Sequence, residues 1–378
     1  MASGEWELAS RLLEIAKETQ GALRAKARLL WSLGDMSKAI QTLERIGKGR
    51  QLHHYRSEYA IFSGQEPSVT STLYKAEESN RQVLYLATNS LPHTGSGYAQ
   101  RTQSLLSALQ SIGWTVKAAT RVNYPLNIGK IRASRVDVVD GIEYERFLPF
   151  PARSDFVGRV QQQAEELLEK VAREKPNILH TTTDFSNALA IKAVSEATGI
   201  PWVYEVRGQL ADTWLSTRPV HAKQSERYQR FVEREAYVAS HASHVFTLGE
   251  EMYSNLITTG VEPTKITLLP NGIGENFLNE PVSKFAARQE LGLEKNAFYV
   301  GTVSSLVPYE GLATVINAAA RISDDNPNLR LLIVGDGTER ENLMRLVRDL
   351  GIEDICTFPG RVPREKANLY HSSLNTFV

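Results

Sequence analysis

Apolar residues recur at helical spacing over the first 80 residues of the chain. Leu8, Leu12 and Ile15 lie three to four residues apart, and the same spacing resumes after Gly34-Asp35. A turn at this glycine followed by a second helix is similar to one helical pair of the tetratricopeptide type. We predict a helical segment over residues 1–80. It is either a structural appendage or a module that docks a protein partner.

From residue 81 onward, short apolar runs alternate with helical stretches. This alternation is typical of a parallel sheet whose two faces are covered by helices. It is interrupted after residue 270 and restarts near residue 299. We therefore predict an α/β fold with two Rossmann-like, doubly wound domains, over 81–270 and 281–378, preceded by the helical segment. The predicted strands are 83–87, 116–119, 178–180, 202–206, 299–301, 331–335 and 355–358, and the predicted helices of the first domain are 98–111, 160–174 and 187–198.

Charge and cysteine content exclude several classes of protein. Lysine plus arginine and aspartate plus glutamate each number 43, so the net charge is zero and nothing favours a nucleic acid partner. Cys356 is the single cysteine, which excludes a disulfide framework and a cysteine-based metal site. The sequence has no leader with a basic start and an apolar stretch, and no apolar run reaches the ~18 residues of a membrane span. We expect a cytoplasmic protein without a transmembrane segment, which can associate peripherally with the inner face of a membrane.

Two glycine loops follow predicted strands and precede predicted helices. In the first, Gly95-Ser96-Gly97, backbone N–H groups at a helix start could bind a diphosphate. The second is Gly335-Asp336-Gly337, and for both loops a tight strand-to-helix turn is the structural alternative. Neither loop has the third glycine of the dinucleotide-binding form, and Arg121 stands where an acidic residue would bind a ribose. Both features disfavour a nicotinamide-dependent oxidoreductase.

Charged residues also end two of the predicted core strands. Glu205 and Arg207 alternate with apolar residues, so they share one face of their strand. Charges at such a position are either functional or a structural ion pair. His180, at the end of the preceding core strand, has the same two interpretations.

Taken in order along the chain, these segments resemble family 4 glycosyltransferases of the GT-B class, which have two Rossmann-like domains. The resemblance covers residues 81–378. It implies retaining transfer of a sugar from a nucleoside diphosphate sugar, with no metal or other cofactor, to a glycan, lipid or protein acceptor, as in polysaccharide biosynthesis. The segments that carry it are 94–97, 204–208, 269–273, 309–312, 334–337 and 358–363.

The resemblance also implies roles for the candidate residues. Arg207 stands where many members carry a histidine near the reacting sugar, and Glu205 and His180 are the other catalytic candidates. Ser305 and Glu310 stand where many members carry an arginine and a lysine on the diphosphate, so backbone N–H groups and a helix start would bind it here. The remaining candidates for the donor and its phosphates are Gly95, Ser96, Gly97, Gly335, Gly337, Arg361 and Val362, the last two beside the base.

The family's acidic donor-sugar motif, two glutamates separated by seven residues, would follow Val378. We therefore expect the second domain to be incomplete, and this chain to bind donor weakly and to have little transferase activity. The alternative function is that of an inactive fragment or remnant that acts as a binding protein through its helical N-terminus.

Overall fold

The computed structural model describes residues 6–70, 81–273 and 282–378, with only the backbone at 364 and 365. The chain divides into two compact units, Met1–Asn271 and Gly272–Val378. Within the described ranges, no helix has both the length and the apolar character needed to cross a membrane.

The first unit begins with four helices that pack on the rest of that unit. Gly34 ends the second helix in the left-handed region, with φ 94°, and its carbonyl accepts a hydrogen bond from Arg227 N at 3.0 Å. A Cβ at this glycine would lie 2.1 Å from Ser225 Oγ. Glu58 of the fourth helix pairs with Arg227 at 2.8 Å, so the fourth helix and the turn at Gly34 both contact the segment around Ser225 and Arg227. These helices are α1 (Trp6–Ile15), α2 (Gln20–Leu33), α3 (Met36–Glu44) and α4 (Arg50–Phe62).

An eight-stranded sheet forms the centre of the first unit. Its strand order is β3-β4-β2-β1-β5-β6-β7-β8, and all neighbours are parallel except β3 and β4. The strands are β1 (Gln82–Ala87), β2 (Thr115–Thr120), β3 (Val136–Val139), β4 (Ile142–Arg146), β5 (Ile178–Thr182), β6 (Trp202–Val206), β7 (His244–Thr247) and β8 (Ile266–Leu268). The helices are α5 (Gly97–Ser111), α6 (Phe156–Glu174), α7 (Phe185–Thr198), α8 (Leu210–Leu215), α9 (Glu226–His241) and α10 (Glu250–Thr258).

Alternate residues of β1 belong to two different hydrophobic cores, one on each face of the sheet. Leu84 and Leu86 belong to a cluster that includes residues of α4, α6, α7 and α9. Val83 and Tyr85 belong to a second cluster with Leu106 of α5. Because successive side chains of a strand point to opposite faces, the apolar run of β1 serves both cores.

The second unit has a smaller parallel sheet in the order β11-β10-β9-β12. Leu331 and Ile333 enter one core, and Leu332 and Val334 enter another, so this sheet is also covered on both faces. The elements are α11 (Lys284–Leu291), β9 (Phe298–Val303), α12 (Leu312–Ile322), β10 (Leu329–Val334), α13 (Arg340–Asp349), β11 (Cys356–Gly360), α14 (Arg364–Ser373) and β12 (Thr376–Phe377).

The predicted α/β class with two doubly wound sheets and a helical N-terminal segment is confirmed. The β3–β4 hairpin and the strands β7 and β8 were not predicted from the sequence. In β3, Val136 and Val138 are exposed, so its apolar residues do not mark a core strand. The turn signal of this hairpin was Asp140-Gly141, an aspartate–glycine pair between two short strands.

Candidate functional site

The loop that joins β1 to α5 is held by two buried side chains from other elements. Tyr124 donates from its hydroxyl to Ser90 O at 2.8 Å, and its oxygen lies 2.7 Å from Thr94 Oγ1. Arg146 donates to Ser90 Oγ at 2.6 Å and to Leu91 O at 3.1 Å. The loop is therefore fixed before any ligand arrives, and neither Tyr124 nor Arg146 was among the predicted site residues.

The glycine loop ends at the start of α5 with an open approach to the helix. Ser96 Oγ accepts a hydrogen bond from Ala99 N at 3.3 Å and caps the helix. A Cβ added at Gly97 would meet nothing within 4 Å, and this glycine does not have a positive φ. The backbone conformation therefore does not require glycine here. What the glycine leaves is space in front of backbone N–H groups, where an anion can bind.

His180, Glu205 and Arg207, the three predicted catalytic residues, lie together at the end of the first sheet. The Glu205 side chain is fully buried, and the Arg207 side chain is only 2% exposed. Arg207 donates to Tyr98 O at 2.9 Å and to Tyr85 Oη at 3.0 Å, and it pairs with Glu205. His180 Nε2 lies 3.8 Å from Glu205 Oε2. Because the guanidinium points into the protein, this arrangement favours the structural ion pair, the second of the two interpretations.

The charges of this cluster follow from its burial. Burial alone would raise the pKa of Glu205, but Arg207 and other nearby positive charges outweigh it and hold that pKa below its usual range. Burial lowers the pKa of His180 to about 4, so the imidazole is neutral near pH 7. The Nε2 atom of His180 and the Nε atom of Arg207 have no hydrogen-bond partner among the described residues.

Arg101 of α5 also belongs to this cluster, although it was not among the predicted site residues. It donates to Glu205 Oε1 at 2.7 Å and, from its other nitrogens, to Leu269 O at 2.7 Å and Pro270 O at 3.0 Å. Arg101 thus joins the start of α5, the end of β6 and the segment after β8. Its side chain is 15% exposed, against 0% for Glu205, so it is the member that solvent reaches. Its place on α5, four residues after Gly97, was the only signal in the sequence.

A cavity of about 680 Å³ lies beside this edge of the first sheet. The rings of Phe62, Phe185 and Phe231 pack edge to face, with centroids 5.3 to 5.6 Å apart, and all three line the cavity. Its other walls come from the segment after β2 and the starts of α6 and α7. Glu58 and Phe62 of α4 complete it, so the N-terminal helices contribute to this cavity. Its charged residues are Arg121, Arg153, Arg159 and Arg227, against Glu58 and Asp184.

The cationic side of this cavity is only partly neutralised. Glu58 pairs with Arg227, and Arg153 pairs with Glu165 at 2.8 Å. Arg121 has no ion pair within the described part of the chain, and its Nε atom is buried without a hydrogen-bond partner there. An anionic group of a ligand would find unpaired donors at this position.

In the second unit, the predicted donor residues lie at the carboxyl ends of three adjacent strands. Ser305 follows β9, Gly335 and Gly337 follow β10, and Arg361 and Val362 follow β11. Since these strands are parallel neighbours, all three loops emerge at one edge of the sheet. Ligands of open α/β sheets bind at such an edge.

Gly335 and Gly337 bring the backbones of two of these loops together. Gly335 has φ 138°, and a Cβ there would lie 1.8 Å from Ser304 O. At Gly337 a Cβ would lie 2.2 Å from Leu306 O. Leu306 N donates to Asp336 O at 3.1 Å, which closes the contact. Both glycines therefore have a structural role that the tight-turn alternative anticipated.

The start of α12 supplies backbone donors near this edge. Gly311, with φ 68°, precedes α12 and offers no side-chain cap for its first N–H groups. Ser305 and Glu310 are both exposed on the segment that leads to it. Helix starts carry a partial positive charge that favours phosphate, whereas the Glu310 carboxylate opposes it.

Two segments of the chain match models of known protein families. Residues 96–272 match the model described as "Glycosyl transferase 4-like domain", and residues 283–378 match "Glycosyl transferases group 1". Together the two matches span most of the chain, which is therefore a member of the glycosyltransferases that combine these two domains. The first 80 residues lie outside both matches.

Two curated relatives match over segments of 117 and 111 residues. A D-inositol 3-phosphate glycosyltransferase of Segniliparus rotundus is 32% identical over 117 residues, which are 30% of this chain and 26% of that protein. A GDP-mannose-dependent alpha-(1-6)-phosphatidylinositol monomannoside mannosyltransferase of Mycolicibacterium smegmatis is 30% identical over 111 residues, 29% of each chain. The chain thus matches little more than a quarter of the length of these two relatives.

Solved structures share the fold at low sequence identity. Sucrose-phosphate synthase from Thermosynechococcus elongatus superposes with a TM-score of 0.63 at 20% identity, covering 79% of this chain and 75% of that chain. Anabaena HepE in complex with UDP-glucose gives 0.58 at 16% identity, covering 78% and 72%.

Proposed function

We propose that this glycosyltransferase moves a sugar from a nucleoside diphosphate sugar to an acceptor that carries an anionic group. The observation that carries the proposal is the edge of the second sheet, where three loops and the start of α12 leave backbone donors for a diphosphate. HepE, which shares the fold, binds UDP-glucose. Transfer with retention and without a bound metal completes the proposal and rests on the family resemblance.

The proposed donor site uses different groups for different parts of the ligand. Ser305 and the first N–H groups of α12 bind the diphosphate, while Gly335 and Gly337 hold the loops that shape the site. Arg361 and Val362, after β11, border the base. Because Glu310 opposes phosphate, backbone N–H groups contribute most of the binding in this segment.

The proposed acceptor site belongs to the first unit. The cavity with Arg121 and Arg159 has the size of a small-molecule site, commonly about 300 to 1,000 Å³. Its unpaired arginine favours a phosphate or carboxylate, and its aromatic wall favours an apolar surface next to that group. Two curated relatives are named for acceptors that carry phosphate, which agrees with this choice.

We propose supporting roles for the three buried residues. Glu205, Arg207 and His180 fix the backbone around Gly208, where a Cβ would lie 2.5 Å from Tyr98 Oη. In this proposal, they position two loops: the one with Gly95, Ser96 and Gly97, and the one with Gln209.

Equilibrium binding of nucleotides tests the donor site. We expect the chain to bind one of UDP, GDP or ADP, and Arg361→Ala to weaken that binding by about tenfold, the effect of losing one charge-assisted hydrogen bond. Arg348→Ala is the matched control, since Arg348 is an exposed arginine in the last turn of α13. Binding of NAD in place of all three diphosphates would refute the proposal.

A further inference from the structure

The first unit carries an unusual run of one charge. Residues 79–136 contain no aspartate or glutamate, although the whole chain has as many acidic as basic residues. The basic residues of this run are Arg81, Arg101, Lys117, Arg121, Lys130, Arg132 and Arg135. Arg101 and Lys117 pair with carboxylates from other segments, at 2.7 and 3.7 Å.

The last part of the run is an exposed loop that also presents apolar side chains. Ile131 is 87% exposed, and Leu126 and Ile128 are 42% and 43% exposed. Lys130 and Arg132, on either side of Ile131, are exposed and have no ion pair within the described residues. Because water solvates apolar side chains poorly, their transfer from water to an apolar environment is favourable.

This loop is ordered at both ends. Gly129 N donates to Leu126 O at 3.0 Å and Lys130 N donates to Pro125 O at 3.3 Å, which closes a tight turn with Gly129 at φ 81°. At the other end, Arg146 N donates to Arg135 O at 2.7 Å. The exposed tip therefore stands on a fixed base.

A second exposed tip, Phe150, lies next to this loop. Phe150 is 99% exposed, and it lines a cavity of about 650 Å³ together with Arg135 and Val136. At the other end of the loop, Asn127 shares the larger cavity with Arg153. The two loops thus share the walls of both cavities. We call residues 126–135 together with Phe150 the loop patch.

The geometry points to the loop patch as a binding surface for an anionic lipid bilayer. Isoleucine and phenylalanine side chains enter the boundary between headgroups and acyl chains, and lysine and arginine beside them pair with anionic headgroups. Charge complementarity selects the bilayer, because Lys130 and Arg132 have no ion pair within the described residues, while Glu145, which lines the cavity beside Phe150, is already paired with Lys170 and Arg173. Arg135 contributes less, since it also interacts with Glu166. The loop patch has two isoleucines and a single aromatic ring, Phe150. This composition disfavours single-stranded nucleic acid, which binds mainly by stacking on aromatic rings.

Vesicle co-sedimentation of the full chain tests this surface. We expect binding to vesicles of phosphatidylcholine with phosphatidylglycerol, weaker binding in high salt, and little binding to pure phosphatidylcholine. Lys130→Ala with Arg132→Ala should lower the partition coefficient by about 30-fold, since each basic residue near such a surface contributes on the order of 1 kcal/mol. Arg345→Ala with Arg348→Ala removes two exposed arginines of α13 and should leave the binding unchanged.

A second pair of variants tests the apolar part. Ile131→Ser with Phe150→Ser should also weaken vesicle binding, whereas Ile15→Ser with Val220→Ser should not, although Ile15 and Val220 are 82% and 84% exposed. All these positions are exposed, so thermal unfolding should change little. Vesicle binding that neither loop variant weakens would overturn the inference. So would a wild-type chain that binds single-stranded DNA or remains free of vesicles. Nucleotide binding does not enter this test, so the donor proposal and this one can fail separately.

Discussion

At the scale of single residues, the first unit depends on a buried carboxylate shared by two arginines. Glu205 pairs with Arg207 on its own strand and with Arg101 of α5. A buried charge that loses its partner is strongly destabilising, because it keeps the cost of desolvation without the compensating attraction. Substituting Glu205 and substituting Arg207 therefore leave different unpaired charges in the protein.

Glu205→Gln should destabilise the protein more than Arg207→Met. Without the carboxylate, two guanidiniums remain close together and one of them is almost fully buried, whereas without Arg207 the carboxylate still pairs with Arg101. We expect a loss of about 3 to 5 kcal/mol in the free energy of unfolding for Glu205→Gln, measured in urea. If Arg207→Met leaves the free energy of unfolding unchanged, the structural interpretation fails.

Sequence alternation was enough to place Glu205 and Arg207 on one face of a strand. It could not identify Arg101, because that contact joins residues 104 positions apart and depends on how α5 packs on the sheet. The same holds for Tyr124 and Arg146 beneath the glycine loop.

Glu235 gives a pH test at the same scale. Its carboxylate accepts hydrogen bonds from Tyr204 Oη at 2.6 Å and Phe185 N at 3.0 Å, and desolvation raises its pKa to about 7. The folded state then retains a proton that the unfolded state releases above its usual pKa of about 4.3. The contribution to stability is present at low pH and is lost as pH rises from there to about 7.

Glu235→Gln should remove the loss of stability that accompanies a rise in pH to about 7. The stability of the variant relative to wild type should increase from pH 4.5 to pH 7 and stay constant above, in urea unfolding at a series of pH values. His180, whose pKa is lowered to about 4, has the opposite slope in both proteins and cancels from the difference. A difference that does not change with pH would contradict this assignment.

At the scale of elements, the turn between α2 and α3 connects the N-terminal helices to α9. The sequence indicated a helical pair broken at Gly34, and the structure has such a turn there. It did not indicate that this turn packs against Ser225, because helical periodicity describes which face is apolar and not what covers it. The helices therefore belong to the first compact unit, and α4 lines its cavity of about 680 Å³.

Gly34→Ala should destabilise the first unit by about 2 to 4 kcal/mol, since it combines a left-handed φ with overlap against Ser225. Gly47→Ala is the matched control. Gly47 has φ 102°, but a Cβ there would meet nothing within 4 Å, so only the conformational cost of about 1 kcal/mol remains. Equal thermal shifts in the two variants would show that the contact with α9 contributes nothing to stability.

At the scale of the whole molecule, two largely parallel sheets each place the loops after their parallel strands at a carboxyl edge. The strand–helix alternation predicted this topology, because it depends only on local pattern and on the handedness of crossovers. Sequence reasoning assigned Gly335 and Gly337 to the donor side. It did not show that they are needed for two loops to pack together, because that requires the distance between Ser304 and the turn after β10.

Hydrogen–deuterium exchange with and without a nucleoside diphosphate tests the central claim, that the second unit binds the donor. With UDP, GDP or ADP added in turn, we expect one of them to slow exchange at 304–314, 335–339 and 361–363. The same nucleotide should have little effect on the helices 20–62. Protection confined to the first unit, or no protection with any of the three nucleotides at millimolar concentration, would contradict the account.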